Sequence, residues 1–124
     1  MKLSEISHLL KTHLYVIEFI NLITNEMELY RRDFAKVGST LNIYVIEDVE
    51  IIISLADCKS LCYLYLERKL DYFELAYIAD GLQLSENVTY SSENLESIIG
   101  EMTDPEINGS FTFERAKEIV EMVY

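Results

Sequence analysis

Asn42–Leu66 reads NIYVIEDVEIIISLADCKSLCYLYL, and the assignment of this stretch decides the fold. Asn42–Ile46, Val49–Leu55 and Leu61–Leu66 are rich in β-branched and aromatic residues, the composition of three strands. Their connections, Glu47-Asp48 and Ala56 to Ser60, hold no Gly, Pro or Asn, the residues that tight hairpin turns use. The other solution is one helix from about Asp48 to Lys69, apolar on most sides. A helix that is apolar all round is buried at the centre of a domain. The missing turn residues favour the helix. The expected fold is therefore mainly α, about five helices around a buried central helix, with room for a short two-stranded β-ribbon. The alternative is α+β, with a small sheet from residues 42–66.

On the N-terminal side, Leu14, Ile17, Phe19, Ile20, Ile23, Met27 and Tyr30 recur at three- and four-residue steps. That spacing predicts a long amphipathic helix over Thr12–Lys36, with Thr12 as its N-cap, Gly38 as its stop and a turn or two from Ser4 to Leu10 before it. On the C-terminal side, Asp71 is placed to cap a short helix carrying Phe73, Ala76, Tyr77, Ile78 and Leu82. That helix is expected to end near Gly81, with Leu84 packing just beyond. Asn87–Ile99 then aligns with Asn108–Val120 as two similar units, each a polar turn, an extended stretch, a hydroxyl cap and a helix. Ser91 or Ser92 is the first cap and Thr112 the second, since a hydroxyl oxygen accepts from the free N–H groups of the first helical turn. Val88–Tyr90 and Ser110–Phe111 are expected to pair as the ribbon.

Charge is the most informative bulk property. The 124 residues carry a formal net charge of −12, unevenly spread. Residues 1–69 hold 8 Lys/Arg and 10 Asp/Glu, whereas residues 70–124 hold 2 and 12. From Leu70 to Phe113 there is no basic residue against nine carboxylates. Such self-repulsion costs stability, so a solubilising face and a docking surface for a basic partner are its two explanations. Direct binding to nucleic acid or to anionic lipid is disfavoured, because both need the opposite sign. The expected partner-binding residues are Glu74, Asp80, Glu86, Glu93, Glu96, Glu101, Asp104 and Glu106. Tyr72 and Tyr90 join them as anchors that combine large contact area with one polar tip.

Catalytic patterns are missing. The four glycines do not cluster into a phosphate loop, and no nucleophile elbow or His-Glu zinc pattern occurs. His8 and His13 are five apart and face different sides of a helix. The chain is therefore expected not to be an enzyme and to need no cofactor or metal. Its apolar runs are far short of the ~20 residues of a membrane span. The N-terminal stretch lacks the uninterrupted apolar segment of a signal peptide, so one cytoplasmic domain is expected. In a reducing compartment Cys58 and Cys62 stay thiols. Asp104–Arg115 resembles an EF-hand calcium loop, with Asp104, Asn108, Gly109 and Phe111 in fitting places. Glu106 is longer than the usual residue, however, and Arg115 stands where a bidentate carboxylate belongs. A divergent calcium-responsive or regulatory module is thus the alternative function.

The run Leu66–Ser85, LERKLDYFELAYIADGLQLS, followed by Asp104–Gly109, DPEING, resembles small bacterial immunity proteins. These are antidotes to contact-dependent growth inhibition and colicin-type toxins. The resemblance spans Leu66–Thr112 and carries over no functional residue by position. It implies an intracellular protein that occludes a cognate toxin, a nuclease for choice, whose basic face holds phosphates.

Overall fold

The computed structural model describes residues 1–35, 42–103 and 111–123, Phe34 by its backbone alone. Among them the chain is mainly helical, with seven α-helices and one small parallel sheet. The order is α1 (Leu3–Lys11), a 3-10 turn (His13–Tyr15), α2 (Val16–Leu22), α3 (Thr24–Phe34), β1 (Ile51–Ile53), α4 (Leu55–Leu66), α5 (Tyr72–Leu84), β2 (Val88–Tyr90), α6 (Glu93–Glu101) and α7 (Phe113–Val120).

The deciding stretch resolves into both of its readings in succession. Three consecutive isoleucines are stiff at χ1 and favour extended backbone, so Ile51–Ile53 is a strand. The change to helix is made by Ser54. Its hydroxyl accepts from the Asp57 N–H at 3.2 Å while its own N–H donates to the Asp57 carboxylate at 2.9 Å, a reciprocal capping box. The single helix expected over Asp48–Lys69 is thus corrected to a strand and the shorter α4. Residues 42–66 do not form a sheet among themselves either.

α4 is the buried centre, in contact with α1, α5, α6 and α7. Leu55, Cys58, Leu61, Cys62, Leu64 and Tyr65 cover most of its circumference. It ends in a Schellman turn: the Lys69 N–H donates to Leu64 O at 2.9 Å and the Arg68 N–H to Tyr65 O at 3.1 Å. Arg68 is the left-handed residue of that turn, at φ 60°. The Tyr65 hydroxyl donates to Phe111 O at 2.9 Å and holds the approach to α7 on α4. Asp71 and Thr112 cap α5 and α7 as expected, accepting from the N–H groups of Glu74 and Arg115.

β1 and β2 run parallel, with Ile51 opposite Val88, Ile52 opposite Thr89 and Ile53 opposite Tyr90. Two parallel strands are joined by a crossover rather than a hairpin. Here the crossover is α4 and α5, which is why the stretch needs no turn glycines. The ribbon expected between Val88–Tyr90 and Ser110–Phe111 is therefore corrected: β2 pairs with β1. Ser110 lies outside the described residues, as does Gly38.

Two further expectations change. The helix expected over Thr12–Lys36 opens as a 3-10 turn and is broken once among the described residues. Thr12 is extended (φ −138°, ψ 93°) and stands at its start, as expected, but makes no side-chain cap. At the break the Thr24 hydroxyl donates back to Ile20 O at 3.0 Å, a bond that bends helices, and Ile23 leaves the helical region. α5 runs through Gly81 to Leu84, and Leu84 is 69% exposed rather than packed. Gly81 leaves room for the ends of two side chains, which a larger residue would push aside. A Cβ there would lie 2.5 Å from Met1 Cε and 3.1 Å from Val45 Cγ2.

One polar network is built into this packing. Tyr77 is fully buried; its hydroxyl donates to Glu26 Oε2 and accepts from the Tyr44 N–H, both at 3.0 Å. The Met1 ammonium, 2.8 Å from Glu26 Oε1, also donates to Tyr44 O at 3.0 Å. Burial raises the Tyr77 pKa above the ordinary phenol value, so the hydroxyl remains a donor. Tyr77→Phe strands the Tyr44 N–H and takes one donor from Glu26. The expected loss is about 1–3 kcal/mol in urea unfolding, with the helical circular-dichroism signal unchanged.

Candidate functional site

The parallel register assembles a surface from two distant parts of the sequence. Just before β1, the Glu47 carboxylate accepts from the Asn87 N–H at 2.9 Å, and Glu47 O accepts from Asn87 Nδ2 at 3.3 Å. This brings Glu47 beside Glu86, and Glu50 follows three residues on, immediately before β1. At the other end of β2 the chain turns through Ser91 and Ser92 into α6, whose first turn carries Glu93 and Glu96. All five carboxylates are exposed, and none is in an ion pair among the described residues. A groove of about 300 Å³ runs along β2, lined by Val88, Thr89, Tyr90, Ser92, Glu93 and Glu96. Two cations lie close to it: Lys11 shares a small cleft with Glu50 and Asp57 at the β1 side, and Lys2 bridges by its backbone to Ile46, next to Glu47.

Local structure explains how α6 tolerates its charge. The N-terminus of a helix carries a partial positive charge from its unpaired N–H groups, and first-turn carboxylates are stabilised there. Ser92 makes no side-chain cap to those groups; its hydroxyl is hydrogen-bonded to Asn94 Oδ1. Leu95, Ile98 and Ile99 bury the opposite face of α6 and fix the outward direction of Glu93 and Glu96.

The ten expected partner-binding residues fall into three groups. Glu86, Glu93, Glu96 and half-buried Tyr90 gather at β2. Glu74, Asp80, Glu101 and Tyr72 are engaged internally. Glu74 accepts from the Asp71 N–H at 2.8 Å and lies 3.7 Å from Arg31; burial raises its pKa, partly offset by those two groups. Asp80 accepts from the buried Tyr30 hydroxyl at 3.2 Å. Glu101 holds Arg115 through two bonds of 2.8 and 3.0 Å. The Tyr72 hydroxyl reaches Thr103 O at 3.4 Å. Asp104 and Glu106 lie outside the described residues. Glu47 and Glu50 were missed by sequence reasoning. Their only signal was two acids flanking a β-branched run, and nothing in the sequence gave the pairing that carries them to β2.

Other features serve packing. Cys58 and Cys62 are fully buried, and burial pushes both thiols up to about 12, far from the ionised form a nucleophile or metal ligand needs. Most of the EF-hand-like loop lies outside the described residues. Of its last positions, Thr112 caps α7 and Arg115 is bound to Glu101 and to Glu118, the latter at 3.0 Å. A second groove of about 340 Å³, on α2, is apolar. Leu14 and Ile17 in it are 89% and 72% exposed, beside His13 and Lys69. No helix among the described residues is long and apolar enough to cross a membrane.

No protein-family model, curated protein or solved structure matches the chain.

Among the described residues the buried Tyr90 hydroxyl has no hydrogen-bond partner, and its pKa is pushed up to about 12 by burial, with Glu96 and Cys58 adding to the shift. A buried hydroxyl of this kind costs stability. Tyr90→Phe is expected to leave the melting temperature unchanged or raise it, by up to about 1–2 kcal/mol of stability. A fall of that size would show that the hydroxyl has a partner. Both cysteines should resist a thiol reagent at pH 8 until the chain unfolds, and rapid modification of the native protein would contradict their burial.

Proposed function

We propose that this chain is an immunity protein, which binds a cognate toxin stoichiometrically and occludes its basic face with the acidic surface around β2. The observation that supports this reading most is the set of five exposed carboxylates, Glu47, Glu50, Glu86, Glu93 and Glu96, around one small sheet, none of them in an ion pair among the described residues. They come from chain segments separated by two helices, and their mutual repulsion is relieved by a cationic partner. A nuclease toxin supplies such a partner, since the groove that holds its phosphates is lined with Lys and Arg. Covering that groove blocks substrate without any chemistry on the antidote's side. On this reading the chain acts in the cytoplasm by binding and not by turnover, with no cofactor and no direct contact to nucleic acid or lipid.

Opposite fields also set the rate. An antidote must find its toxin before damage accumulates, and electrostatic steering lifts association well above the ordinary ~10⁵–10⁶ M⁻¹s⁻¹. The effect is lost with salt, because the Debye length is only about 8 Å at physiological ionic strength.

The test is co-expression with the product of the neighbouring gene, followed by stopped-flow association of the two purified chains. A stable complex with loss of toxin activity is expected. Reversing Glu86, Glu93 and Glu96 to lysine should slow association by about tenfold or more and flatten its dependence on salt. Reversing Glu74 should act mainly on stability, through its cap and its contact with Arg31. Association unchanged by the triple reversal would remove this surface from the interface.

A further inference from the structure

We infer that the partner adds an extended, basic segment to this protein as a third strand along the outer edge of β2. The inference rests on the proposed acidic binding surface and names the kind of segment that meets it. In a parallel pair, alternate residues of each strand direct both backbone groups at the neighbouring strand. The Ile51 N–H donates to Asn87 O at 2.9 Å, and the Ser91 N–H donates to Ile53 O at 3.0 Å. With Ile51 opposite Val88, the residues of β2 that face β1 are Asn87, Thr89 and Ser91. The N–H and C=O groups of Val88 and Tyr90 therefore point the other way, out of the sheet. Among the described residues no backbone or side-chain group bonds to them, and the sheet has no third strand.

This open edge coincides with the groove lined by Thr89, Tyr90, Ser92, Glu93 and Glu96. Unpaired strand edges are templates for further pairing, and a two-stranded sheet gains most from it. Only an extended segment can use these groups, since the backbone bonds of a helix are already made within it. Charge selects among extended segments. A second copy of this chain would set Glu93 and Glu96 against their own equivalents on a molecule of net charge −12. The same carboxylates therefore reject self-association and favour a strand carrying Lys or Arg.

The experiment is amide hydrogen exchange by NMR on the full chain at low salt. The probe is a synthetic seven-residue peptide that alternates Lys with Val or Thr, and the control is the same peptide with Glu for Lys. In the free protein the Val88 and Tyr90 amides should exchange rapidly while the Thr89 amide is slowed. Saturation with the basic peptide should slow Val88 and Tyr90 by about tenfold or more, with little change at Thr89. The Glu93→Gln, Glu96→Gln double variant should need a several-fold higher peptide concentration for the same protection, and the acidic control should give none. Basic peptide that binds without protecting Val88 and Tyr90 would overturn strand addition and leave the acidic surface standing. Equal protection by the acidic peptide would overturn charge selection at the edge. Failure of the basic peptide to bind at low salt would overturn the inference itself, the proposed toxin interface being judged separately by the association kinetics.

Discussion

The parallel pairing of Ile51–Ile53 with Val88–Tyr90 is the constraint on which the acidic surface around β2 depends. It is only three residues long on each strand, yet it fixes the relation between the two acidic stretches of the chain. The crossover between the strands is α4 and α5, the two helices with the most buried residues, so the sheet is held by the core as much as by its own hydrogen bonds. Loss of the register would separate Glu47 and Glu50 from Glu86, Glu93 and Glu96, and the surface would cease to exist as a unit.

The acidic side chains of the C-terminal half divide by what they touch. Some have structural work: Asp71 and Glu74 close the start of α5 and meet Arg31, Glu101 ties α6 to α7 through Arg115, and Asp80 receives the Tyr30 hydroxyl. Exposed ion pairs of this kind contribute little each, about 0–1 kcal/mol, but they remove their members from the long-range field. What remains outward is narrower than the sequence suggested and is centred on β2. The charge asymmetry between the two halves is therefore an imperfect guide to this surface, since two N-terminal carboxylates lie on it while Asp71, Glu74, Asp80 and Glu101 in the C-terminal half do not.

Much of the fold was legible in local chemistry. The caps at Asp71 and Thr112, the apolar faces of α6 and α7 and the buried central helix follow from residue type and spacing. The start of α4 was also written locally, in Ser54-Leu-Ala-Asp57, but the apolar run around it concealed the cap. The break at Ile23 depends on a threonine bonding back into its helix, which periodicity does not register. The partner of Val88–Tyr90 was not legible. A parallel pair leaves no turn signature, and the local similarity of the two C-terminal units pointed to the wrong neighbour. For the site, the types of residue were readable and their company was not, because exposure and ion pairing are settled by tertiary contacts.

Net charge alone can make an acidic protein attract any cation weakly and everywhere, whereas a docking surface concentrates the attraction at one place. The two cases separate in an NMR titration of the isotopically labelled chain with a small basic protein, followed by chemical-shift changes at each backbone amide. If the acidic surface is the docking site, the changes gather at residues 47–52 and 86–96, and the amides of α2 and α3 do not move. Changes spread evenly over all exposed carboxylates, or centred on the apolar groove at Leu14 and Ile17, would contradict it.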